Sequence, residues 1–93
     1  MRIIGNIEHP SLKISVFKND GRTSVKFETS LYEQTIKLGD DERFSTLEQV
    51  QEWVDGLLIE KILEGFRAMH SMRLEAMARS FPVQSEIMFE EII

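Results

Sequence analysis

The chain contains no cysteine, and its 93 residues include only two prolines, Pro10 and Pro82. The first absence excludes a disulfide framework and any thiolate metal site, so the fold must rest on packing. The second leaves the whole stretch between the two prolines without the residue that most firmly interrupts helices and inner strands. Glycine is sparse as well. Gly5, Gly21, Gly39, Gly56 and Gly65 never cluster, which excludes a phosphate-cradling loop and a dinucleotide fingerprint. No stretch approaches the ~18 to 20 consecutive apolar residues needed to cross a bilayer. The opening Met1-Arg2-Ile3-Ile4-Gly5-Asn6 lacks the apolar core of a signal peptide. These absences predict a soluble, cytoplasmic protein with no membrane partner.

What is present suits one small globular domain spanning 1–93. A chain of this size hides roughly 60 to 65% of its unfolded surface on folding, enough for a modest core. The net charge of −5 is unevenly spread: residues 1–43 hold seven Lys/Arg and seven Asp/Glu, whereas 44–93 hold four against nine. Phosphate neutralisation drives most nucleic-acid affinity, so the acidic second half is a poor partner for a polyanion. Only the first half qualifies.

Residues 12–38 alternate with the period of two that places side chains on opposite faces of a strand. Leu12, Ile14 and Val16 mark an inward face, resumed after Asp20-Gly21 by Val25 and Phe27. Asp-Gly is a strong two-residue hairpin signal, because a type I′ turn needs positive φ at both central positions. This turn sets Val16 against Val25, Ile14 against Phe27, and Lys13 against Glu28. A third run, Thr35-Ile36-Lys37-Leu38, is predicted to pair Ile36 with Thr29, Leu38 with Phe27 and Lys37 with Glu28, with Leu31-Tyr32-Glu33-Gln34 as the turn. Arg2 to Glu8 reads as a fourth strand ended by His9-Pro10.

After an acidic loop, Ser45-Thr46-Leu47-Glu48 fits a capping box with serine as the cap. From there to 81 the pattern is helical. Leu47, Val50, Val54, Leu58, Ile62, Met69, Met72 and Ala76 form one stripe at 100° per residue. Asp55-Gly56 and Gly65 are candidate break points that would turn one helix into two. The tail, 83–93, carries Ile87, Met88, Phe89, Ile92 and Ile93, and is expected to dock. The fold class is therefore α+β: an antiparallel β-meander of three to four strands over 1–39, then a long helix or helical hairpin over 45–81.

The chemistry-bearing residues form no catalytic or metal signature. His9 and His70 are isolated, Asp40-Asp41-Glu42 lacks the spacing and glycine turn of a calcium loop, and no serine sits in a nucleophile elbow. No catalytic, cofactor-binding or metal-ligating residue is assigned. Two surfaces remain. Lys13, Lys26 and Lys37 share the outer sheet face and are the candidate polyanion site, with Glu28 and Glu33 among them. Ile59, Leu63 and Phe66 lie about 60 to 120° around the helix from the main stripe and need a cover of their own. With Met69 and the tail's Ile87 and Phe89, they form the candidate interface of a homodimer. The expected function is a non-enzymatic protein-protein interaction or assembly module acting as a small homo-oligomer. The alternatives are a nucleic-acid-binding accessory protein using the outer sheet face, and a small ligand-binding protein or enzyme.

Overall fold

Asp20 and Gly21 both adopt positive φ, 53° and 75°, which gives the tight turn a two-residue hairpin needs. In a computed structural model of the chain, in which residues 1–81 are described, this turn joins β2 (Lys13–Asn19) to β3 (Arg22–Glu28). Their register is Val16 to Val25, Ile14 to Phe27 and Lys13 to Glu28, as the turn residues and cross-strand charges predict. Replacing Gly21 with Val forces a β-branched residue into the left-handed region. The variant should lose ~1 kcal/mol or more, read as a lowered denaturant midpoint with an unchanged slope.

β1 (Arg2–Ile7) and β4 (Glu33–Gly39) complete an antiparallel meander in the order β1-β2-β3-β4. The β3–β4 register departs from expectation by four residues. Phe27 faces Gln34 rather than Leu38, Glu28 faces Glu33, and Lys37 lies opposite Ser24. The cause is the turn, which occupies residues 29–32. The Thr29 hydroxyl accepts from the amides of Leu31 (3.3 Å) and Tyr32 (3.1 Å), and the Thr29 amide donates to the Tyr32 carbonyl at 2.8 Å. A side-chain hydroxyl thus closes a turn that has no glycine.

The chain then forms a 3₁₀ turn (Glu42–Phe44), α1 (Leu47–Trp53) and α2 (Gly56–Ser80). The capping box falls one residue later than predicted, with Thr46 as the cap and Gln49 reaching back. The break between helices is at Val54-Asp55, not Gly65. Val54 leaves helical geometry at ψ 88°, and Asp55 starts the next helix by accepting from the Leu58 amide at 2.8 Å.

The described chain divides into two compact units, Met1–Ile62 and one beginning at Leu63. In the first, the inward sheet face supplies Ile7, Ile14, Val16, Val25 and Phe27, the loop before β2 adds Leu12, α1 and α2 supply Val50 and Ile62, and the break between them supplies Val54, all buried. Leu47 packs so close to Gly5 that a Cβ there would collide with the leucine methyl groups. Gln34 donates its side-chain amide to the Ile62 carbonyl at 3.1 Å, which ties the start of α2 to β4. The Thr23 hydroxyl donates to the Phe44 carbonyl at 2.9 Å, and Phe44 meets Trp53 edge to face at 5.4 Å. In the second unit, Phe66 is buried near the start of the helical stretch. No described helix is long and apolar enough to cross a membrane.

Candidate interaction surface

The stripe drawn through Leu47 holds in α2 at Leu58, Ile62 and Met69, which are buried or half-buried, and fails beyond them. Met72 is 62% exposed and Ala76 is exposed, although both were expected inward. The more covered side of α2 runs instead through Ile59, Ile62, Leu63, Phe66, His70, Leu74 and Met77, all buried or half-buried. These positions recur at three- and four-residue intervals and fall within about 120° of the helix circumference. The face predicted to need a partner's cover is therefore largely the face that is already covered.

This changes the standing of each candidate. Phe66 is only 6% exposed and does not belong to an apolar patch left in water. Ile59, Leu63 and Met69 are half-buried and keep part of their surface free. Ile87 and Phe89, and the docking of the tail, lie outside the described residues. Of the apolar side chains of α2, only Ile62 and Phe66 are buried. The most exposed are Leu57 (64%) and Met72. At the corner between α1 and α2, Trp53, Leu57 and Leu58 line a shallow open concavity with Asp55 and Lys61 at its rim. Leu57 opens the stretch to Phe66 whose apolar residues cover most of the helix circumference, and the corner it lines exists because the helix breaks at Asp55. The position of Trp53 away from the main stripe was the other signal available.

On the other side of the sheet, Lys13 and Lys37 are exposed and Lys26 is half-buried. The three are not a free cationic patch. Lys26 lies 3.7 Å from Glu28 and 3.6 Å from Glu33, and 5.5 Å from the centre of the Phe17 ring. Lys13 faces Glu28 across the β2–β3 ladder. Carboxylates thus sit among the cations, and such exposed pairs contribute little to stability. Over β2, β3 and β4 the outer face is a charge ladder that mixes Lys13, Lys26 and Lys37 with Glu28 and Glu33, whereas β1 brings Asn6 and the exposed Ile3 beside Ser15 and Phe17.

The titratable groups elsewhere are explained locally. Asp41 caps the 3₁₀ turn and holds Arg43 through its guanidinium, with Arg43 Nη2 at 2.7 Å from Asp41 Oδ2. The side-chain hydrogen bonds from Arg43 and the donation from its amide lower the Asp41 carboxyl to about 2. His9 Nδ1 accepts from the Ser11 amide at 3.1 Å, which orders the loop after β1. That loop and its flanking strand ends, Asn6 to Ile14, border a wide open concavity. Among the described residues, no buried side-chain nitrogen or oxygen lacks a hydrogen-bond partner. No group of His, Cys, Asp and Glu among them is arranged to hold a metal.

No family model matches the chain, and no curated protein or solved structure matches it either. Its function has to be read from its own surfaces.

Proposed function

We propose that this protein is a non-enzymatic interaction module that acts as a small homo-oligomer, with the helical surface as its principal contact. The observation that carries the proposal is the incomplete burial of α2. Helices in water draw most of their stability from covering an apolar face, not from intrinsic propensity. Here Leu57 and Met72 stand in solvent, while Leu58, Ile59, Leu63, Met69, Leu74 and Met77 keep part of their area exposed. Leu57 and Leu58, which line a shallow concavity with Trp53, are the material of interface centres. A two-fold pair is the commonest way to cover such a surface.

The test uses residues whose loss does not touch the core. Leu57→Glu and Met72→Glu, made together, should leave the far-UV circular dichroism spectrum unchanged. The pair should lower the association constant at least tenfold in sedimentation equilibrium, since apolar burial contributes about 1.5 to 3 kcal/mol per large side chain. A variant that associates like the parent would remove the helical surface from the interface. The outer-face lysines offer no comparable support for a nucleic-acid role, because acidic side chains share their face.

A further inference from the structure

We infer that the open edge of β4 pairs with β4 of a second copy, antiparallel about a two-fold axis at Thr35, joining two four-stranded sheets into one of eight strands. The inference rests on the homo-oligomer reading above and names the sheet half of that interface. Among the described residues the sheet has two edges, β1 and β4, and they differ. The β1–β2 register slips between Ile3 and Gly5. Ile4 is thus an extra residue in mid-strand, and a bulge there twists the edge away from further pairing. In β4 the slip falls at the end, between the pairs Thr23–Gly39 and Ser24–Lys37. Glu33 to Lys37 is therefore an uninterrupted edge without proline.

That edge is complementary to itself in one register. Glu33, Thr35 and Lys37 are exposed on the outer face, and Gln34, Ile36 and Leu38 are half-buried on the inner one. Centring the pair on Thr35 sets each Glu33 opposite the partner's Lys37, twice over, and each Ile36 opposite the partner's Gln34. Centring on Glu33 or on Lys37 instead brings like charges face to face. Centring on Gln34 or on Ile36 leaves both charges without an opposite. Opposite charges directly across a ladder stabilise it and like charges oppose it. The chosen register also covers the free area of Ile36. The Gln34 bond to the Ile62 carbonyl holds the first turns of α2 over the same strand, so a two-fold at Thr35 brings those turns toward their copies. A strand edge and a helical surface then belong to one dimer.

Charge reversal in two separate chains tests this. Lys37→Glu gives an edge with two carboxylates, and Glu33→Lys gives one with two cations; both sites are exposed, so each variant should fold. Each alone should self-associate about tenfold or more weakly than the parent, because two attractive pairs become repulsive. An equimolar mixture should recover the parent's affinity as a heterodimer, read by sedimentation velocity with one chain fluorescently labelled. Parental self-association in both variants, or a mixture no tighter than either chain alone, would overturn the pairing. Loss of association in the Leu57/Met72 variant combined with no effect of either charge reversal would overturn the strand pairing while leaving the helical interface standing. A monomeric parent would overturn both.

Discussion

Phe27→Ala should lower the unfolding free energy by about 3 to 5 kcal/mol, a large part of the roughly 5 to 14 kcal/mol expected of a chain of this length. Phe27 is fully buried near the end of β3, with Ile14 on one side and Gln34 on the other. Its ring is wholly withdrawn from solvent on the inner sheet face, and truncation leaves a cavity that a packed core refills only in part. The shift in Tm should be at least about 12 °C, since 1 kcal/mol moves a domain of this size by roughly 4 to 8 °C. A change of only a few degrees would mean that the inner sheet face is not closed over as described.

Phe66→Ala should cost a similar ~3 to 5 kcal/mol, and the cost should be independent of protein concentration. The distinction matters because Phe66 has two possible roles with different signatures. A residue buried within its own chain destabilises the monomer when truncated. A residue buried only by a partner leaves the dissociated monomer's stability unchanged and weakens association instead. At 6% exposure Phe66 belongs to the first kind. Chemical denaturation well below the dissociation constant reads the monomer alone. An unaltered midpoint there would return Phe66 to the interface.

The parts of the fold that were legible in the sequence are those where two independent signals agree. The β2–β3 register had both an Asp-Gly turn and an opposite-charge pair, Lys13 with Glu28. The β3–β4 register had the apolar pattern and an opposite-charge pair, Lys37 with Glu28, but no glycine turn, and the charge pair does not form: Glu28 faces Glu33. A displacement of four residues keeps every side chain on its own face, so alternation cannot separate the expected register from the observed one. What decided it was the Thr29 hydroxyl, a signal weaker than glycine. The helix cap was ambiguous for a similar reason. Ser45 with Glu48 and Thr46 with Gln49 both satisfy the capping pattern, and the second pair forms.

The candidate surface was less legible than the sheet. A stripe projected at 100° per residue assumes one continuous helix, and the non-helical Val54 breaks that assumption. Met72 turns outward and Phe66 inward, exchanging their expected roles. On the outer face Lys26 lies beside two carboxylates, and one of them, Glu33, was expected in the turn but instead opens β4.

In the proposed assembly the exposed apolar surface of one chain is covered by another copy of the same chain. Sedimentation equilibrium of the unmodified protein from low micromolar to several hundred micromolar tests it most directly. A concentration-dependent rise from the 10.8 kDa chain mass toward twice that value is the predicted result. A single species at the chain mass across the whole range would contradict it.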